Sequence, residues 1–208
     1  MQSQNSILVR GELQGLPVFS HENHSRRFYG FTLGVRRLSG VEDQVNVIAA
    51  QDVLEQVDLS GGQVLEVAGQ VRSFNNRQPE GRRLIISVYA EQMSAVETEH
   101  INQVELLGNI CREPVYRQTP LGREICDVML AVARRYRRTD YLPCILWGRS
   151  ARDAADLPVG TALHLTGRLQ SRSYVKLLDS GSETRIAYEI SAVSAEPVFP
   201  EDALDTSN

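Results

Sequence analysis

Residues 124–148 read EICDVMLAVARRYRRTDYLPCILWG. The run Glu124–Ala133 is apolar with interspersed β-branched residues and predicts a strand. Arg134–Asp140 is polar and strongly basic, and predicts a loop or hairpin tip. Tyr141–Gly148 is a second apolar run and predicts the next strand. Pro143 within it has no N–H to donate, so that strand should lie at an edge or carry a bulge there. Upstream, Val104, Leu106 and Ile110 alternate around Gly108, as in a barrel strand interrupted by a bend. Downstream, Ser150–Asp156 predicts a brief helix before Leu157-Pro158. Thr161–Gln170, apolar at 163, 165 and 169, predicts a fourth strand, residues 178–184 a turn-rich loop, and Arg185–Val193 a fifth strand. Five strands with one short helix between the third and fourth is the order of the OB-fold, a Greek-key barrel. The pattern alone also admits other small barrels.

The same plan occurs earlier in the chain. A shift of 97 residues places Asn5 on Asn102, Gly11 on Gly108, Pro17 on Pro114, Leu33 on Leu130, Arg37 on Arg134, Asp43 on Asp140 and Ile48 on Ile145. After one extra residue, Gly62 meets Gly160 and Gly69 meets Gly167. This period is too long for a solenoid, so it indicates a duplicated domain. The first copy predicts strands at 5–14, 26–36, 44–50, 63–72 and 82–92, with a short helix near 52–57. The expected organisation is all-β, with two tandem OB-folds. A domain at 1–94 is followed by a charged linker at 95–101, a second domain at 102–196 and an acidic, disordered tail at 197–208.

The chain carries a formal net charge of −4, but the charge is uneven. Residues 101–192 hold twelve Arg, Lys176 and ten acidic residues, a net of +3. Lys176 is the only lysine, and Arg suits planar stacking and phosphate contacts. Cys111, Cys126 and Cys144 form no Cys-x-x-Cys, and are expected to be reduced core residues of a cytosolic protein. No apolar run approaches a membrane span, and the first residues, MQSQNS, have no signal-peptide pattern.

Single-stranded nucleic acid is held by a basic groove with flat side chains on which bases stack. The second copy offers both. Tyr136 lies inside RRYRR, Tyr141 opens the third strand, Trp147 ends it, and Tyr174 follows the fourth. Arg134, Arg135, Arg137, Arg138, Arg149, Arg168, Arg172 and Lys176 surround them as candidate phosphate ligands. In an OB barrel these segments run along one groove. An isolated strand-end aromatic is more often partial core, so the weight rests on their convergence.

The segments NQVELLGNI, EPVYRQTPLGREICDVMLAVARRY, TDYLPCILWG, PVGTALHLTGRLQSRSY and AYEI, spread over Asn102–Val193, resemble bacterial single-stranded DNA-binding protein. The family has four aromatic stacking positions, and the resemblance assigns them to Tyr136, Tyr141, Trp147 and Tyr174. It implies sequence-tolerant binding of single-stranded DNA in replication, recombination or repair, in the cytoplasm and at the nucleoid. Members with one barrel per chain assemble as tetramers, which implies a homodimer of two-barrel chains here. The first copy departs from the pattern, with Ser39, Gln44, Ala50 and Asn76 at the four positions. Phe74 lies nearby out of register, and Arg72, Arg77, Arg82 and Arg83 remain for phosphates. Phe28, Tyr29 and Phe31 are expected mainly in the core. The family often ends in an acidic tail closing on Ile-Pro-Phe that binds replication and repair proteins, whereas this chain ends FPEDALDTSN.

A second function class is an interaction scaffold, as in the related primosomal replication protein N family or a conjugation complex, with secondary nucleic-acid affinity. An RNA-binding OB protein is a third, since no sequence feature identifies a reader of the 2′-OH. His21 and His24 lack further ligands at metal-binding spacing, and His164 should face solvent or the groove. No nucleophile–base pair, phosphate loop or acidic metal cluster is evident, so the sequence predicts no enzyme, cofactor or metal.

Overall fold

The structure is a computed structural model and describes residues 4–75, 84–178 and 181–199, with side chains throughout except at 176–178. Asn76, Arg77, Arg82, Arg83, the side chain of Lys176 and the tail beyond Phe199 lie outside the described residues.

In chain order the elements are β1 (Asn5–Asn23), β2 (Arg26–Arg36), β3 (Glu42–Ala50), α1 (Gln51–Leu54), β4 (Val64–Asn75) and β5 (Leu84–Ala95). They are followed by β6 (Ile101–Ile110), β7 (Val115–Gln118), β8 (Glu124–Arg134), β9 (Arg138–Trp147), α2 (Gly148–Ala155), β10 (Ala162–Leu178) and β11 (Gly181–Val198). The pairings close into two rings. The first runs β1–β2–β3–β5–β4–β1, antiparallel except at β3–β5. The second runs β6–β8–β9–β11–β10–β6, antiparallel except at β9–β11. Both are OB barrels. β7 adds a short edge strand to β8.

Alternation fills each barrel from one side of every strand. Leu33, Val35, Val45, Val47, Leu65 and Val67 are buried in the first, and Leu106, Leu130, Val132, Leu142, Leu163 and Leu165 in the second. The strands bend where glycine stands. Glu12, next to Gly11, pairs with both Gly34 and Val64, so β1 turns there from β4 to β2. A Cβ on Gly11 would stand 2.7 Å from the Gly34 carbonyl oxygen, and one on Gly108 2.8 Å from a Val132 methyl. Pro143 sits just before the two residues, Cys144 and Ile145, at which β9 pairs with β11, so its missing donor leaves no gap in that ladder.

Four predicted boundaries move. β1 continues to Asn23, because His24 and Ser25, both at positive φ, turn it directly into β2. The basic segment 134–140 is mostly strand, with only Arg135–Arg137 forming the turn. Of the expected loop at 178–184, Leu178 and residues 181–184 are strand instead, with Leu178 paired to Gly181. Pro197 and Val198, placed in the tail by sequence, pair with Leu163 and Ala162 in β11.

β1 also pairs antiparallel with β6, from Asn5–Leu106 to Arg10–Ile101, so one sheet runs through both barrels. The two copies meet with approximate twofold symmetry. The Asn5 side chain clamps the backbone of Val71 with bonds of 2.8 and 2.9 Å, and Asn102 does the same to Leu169 at 2.7 and 2.9 Å.

Candidate nucleic-acid interface

Strand alternation decides which side chains leave the second barrel. On β9, Asp140, Leu142, Cys144 and Leu146 are buried, whereas Tyr141 and Trp147 point outward at 47% and 39% exposure. The Trp147 indole is oriented by its Nε1–H, which donates to Ser191 Oγ at 3.0 Å. Tyr136 is 93% exposed at the β8–β9 hairpin tip, where it and Arg137 both take positive φ, at 61° and 54°. Tyr174 is half-buried on the β10–β11 arm, opposite Arg185. The Arg185 guanidinium is held in its charged form first by Glu183 and further by the Tyr174 hydroxyl oxygen. Trp147, Arg172 and Ser173 line one side of a cleft of about 530 Å³, and Val41, Glu42 and Gln44 of the first barrel line the other.

The candidate phosphate ligands divide. Arg135, Arg137, Arg138, Arg149 and Arg172 are exposed, Arg149 beside Asp153 at 3.5 Å. Arg168 is exposed but faces the cleft between the barrels, together with Arg36, His100 and Asn102. Arg134 differs from the rest. Its side chain is only 14% exposed, and Nη1 lies 3.6 Å from Oδ1 of the fully buried Asp140. The corresponding pair in the first barrel, Arg37 with buried Asp43, is bidentate at 2.7 and 2.6 Å. Asp43 raises the pKa of Arg37, chiefly through that hydrogen bond.

Both aspartates reach across the junction. Asp140 Oδ1 accepts the Ser73 N–H at 2.8 Å, and Tyr141 N–H donates to Ser73 Oγ at 2.8 Å. In the twin, Asp43 Oδ1 accepts the Ser171 N–H at 2.7 Å, and Gln44 N–H donates to Ser171 Oγ at 2.9 Å. These four residues were missed by the site reading. Their signal was in the repeat, since Asp43 aligns with Asp140 and Ser73 with Ser171.

The first barrel presents other chemistry. Ala50, the counterpart of Trp147, is buried. Phe28 and Phe31 are buried, and His21 stacks on Phe28 with centroids 4.8 Å apart. Phe74 and Ile85 are exposed at the mouth of an apolar pocket of about 450 Å³. The Arg72 guanidinium lies 4.9 Å from the centre of the Tyr89 ring, and burial, then the charge of Arg134, pulls its pKa down. His164 Nε2 lies 2.8 Å from Glu105 on the outer face of β10. All three cysteines are free, with Cys126 and Cys144 in the core as expected and Cys111 only half-buried. Burial raises the thiol pKa of Cys144 strongly, and also those of Cys111 and Cys126. Among the described residues no His, Cys, Asp or Glu cluster could hold a metal, and no helix is long and apolar enough to cross a membrane.

The profile of the Single-strand binding protein family matches residues 101–198. Single-stranded DNA-binding protein 2 of Listeria innocua is 31% identical over 117 residues, covering 52% of this chain and 72% of that protein. Single-stranded DNA-binding protein B of Bacillus subtilis is 35% identical over 80 residues, covering 35% of this chain and 71% of that protein. The match spans only 47% of the longer single-stranded DNA-binding protein A of the same organism. The crystal structure of the single-stranded DNA binding protein from Thermus aquaticus superposes with a TM-score of 0.78 at 23% identity, covering 96% of this chain and 95% of that one. The two-barrel architecture is therefore shared along nearly the whole chain.

Proposed function

This chain belongs to the single-strand binding protein family, and from that membership we propose that it binds and covers single-stranded DNA without reading its sequence. The observation that carries this reading is the outward placement of Tyr141 and Trp147 on one face of β9, with Tyr136 at the adjoining tip and arginines between them. Bases stack on the four rings, each worth about 1–3 kcal/mol. Arg135, Arg137, Arg138, Arg149, Arg172 and Lys176 take the phosphates, and release of counterions makes affinity fall with salt. Base identity matters little, because every base has a flat face. No bond is made or broken. The strands served are those exposed in replication, recombination and repair, at the nucleoid in the cytoplasm.

The working assembly is a homodimer, which brings four barrels together. The first barrel contributes fold, charge and the junction more than base stacking, having Ser39, Gln44 and buried Ala50 at platform positions. A pure scaffold would have no need for aromatics at all four of these positions beside exposed arginines.

Titration with oligo-dT tests this directly, since Trp147 is the only tryptophan. Its fluorescence should be quenched in a saturable way by single strands and far less by duplex. Light scattering should give twice the chain mass. Equal response to duplex and single strand, or none to either, would remove the stacking reading; a stable monomer would remove the assembly.

A further inference from the structure

We propose that Ser73, which belongs to the barrel without platforms, positions the Tyr141 platform of the other barrel; this rests on the single-strand reading above. Residues 140 and 141 are both tied to this one serine. Tyr141 N–H donates to Ser73 Oγ at 2.8 Å, Ser73 N–H donates to Asp140 Oδ1 at 2.8 Å, and the Ser73 hydroxyl faces the same oxygen at 3.4 Å. A hydroxyl both donates and accepts, so one serine can serve the carboxylate and the amide at once.

The position of these bonds gives them their consequence. β8 supports one edge of β9 along its length, but β11 supports the other only at Cys144 and Ile145. At Tyr141 the backbone edge turned away from β8 is therefore held by the first barrel. A half-exposed ring has little packing of its own to fix it, so its aim depends on its backbone. Asp140 is fully buried and draws Arg134 inward, which anchors the start of β9 at the same point.

The twin junction shows that this geometry is built into the interface. Ser171 makes the same three contacts to Asp43 and Gln44 at 2.7, 3.4 and 2.9 Å. The residue displayed differs, a glutamine there and a tyrosine here, and Arg37 lies closer to Asp43 than Arg134 does to Asp140. The first barrel has lost its own base platforms while keeping the serine that holds one of its neighbour's.

The test uses the full chain with Ser73→Thr, which keeps the hydroxyl, and Ser73→Val, which keeps that shape without it. Oligo-dT binding is read from Trp147 quenching across a salt series. Ser73→Thr should bind within about twofold of wild type. Ser73→Val should bind about 3- to 10-fold more weakly, the factor one net hydrogen bond supports. Its salt slope should be unchanged, because no phosphate contact is removed. In a Tyr141→Ala background, Ser73→Val should cost nothing further, as two steps in one pathway do not add. Should valine unfold the junction, Ser73→Ala removes the same oxygen without bulk and is read the same way. Equal affinity of the hydroxyl and non-hydroxyl variants, or a loss that persists without Tyr141, overturns this proposal while wild-type binding stands. Failure of the wild-type chain to bind oligo-dT overturns the proposed function, and this proposal with it.

Discussion

Six positions separate Tyr141 from Trp147, an even number on a strand whose side chains alternate, so both rings leave β9 on the same face. Trp147 is too exposed for a core anchor, and its indole N–H is already held by Ser191. Trp147→Ala should weaken binding of dye-labelled oligo-dT by about 1–3 kcal/mol and leave a cooperatively folded chain. Trp147→Phe should recover most of that loss, since it keeps a ring and gives up only the bond to Ser191. Undiminished affinity in the alanine variant would remove Trp147 from the track. The arginines separate in the same experiment. Arg134→Ala leaves Asp140 buried without its ion pair, which should destabilise the fold by about 3–5 kcal/mol. Arg138→Ala removes an exposed charge, so it should lower the salt slope by about one while the melting temperature holds. The opposite pattern would show Arg134 swinging out to DNA. The rings were legible in the sequence because a stacking residue is known by its identity and its place in a motif. The inward turn of Arg134 was not, because the carboxylate that draws it in is buried against the other barrel.

At the scale of elements, the β8–β9 hairpin matters most, since its tip carries Tyr136 and basic side chains into solvent. Two consecutive non-glycine residues at positive φ make this a costly turn for L-residues. Arg137→Gly should relieve part of that cost and raise stability by up to about 1 kcal/mol. The same change should weaken DNA binding at low salt by removing a cation. A lowered melting temperature would mean that the Arg137 side chain makes contacts that outweigh the backbone strain. The core strands were legible because a buried face imposes a two-residue period. The β10–β11 arm was not. Beyond the barrel it has no core to cover, so the apolar alternation stops although the backbone ladder continues to Leu178 and Gly181. The hairpin tip at 134–140 was legible, but its tightness at Arg135–Arg137 was not, because its charge also suits a longer solvated loop.

For the molecule as a whole, the junction decides whether two barrels act as one body. Six residue pairs between β1 and β6, two asparagine clamps and two aspartate–serine contacts cross or brace it. Urea unfolding should therefore be a single transition, with Trp147 fluorescence, which reports the second barrel and its cleft with the first, coinciding with far-UV circular dichroism, which reports both barrels. An Asp43→Ala, Asp140→Ala double variant should separate the two signals, because it cuts both aspartate–serine contacts. Separate midpoints in the wild-type chain would show barrels that fold independently. The sequence by itself determined the duplicated five-strand plan, the barrel class and the unequal aromatics, because these rest on local period, on glycine at bends and on residue identity. Only the tertiary structure decided which groups meet across the junction. Ser73 and Asp140 lie 67 residues apart in the chain, and Ser171 and Asp43 lie 128 apart. Their meeting depends on where β1 docks along β6, and neither alternation nor composition encodes that register.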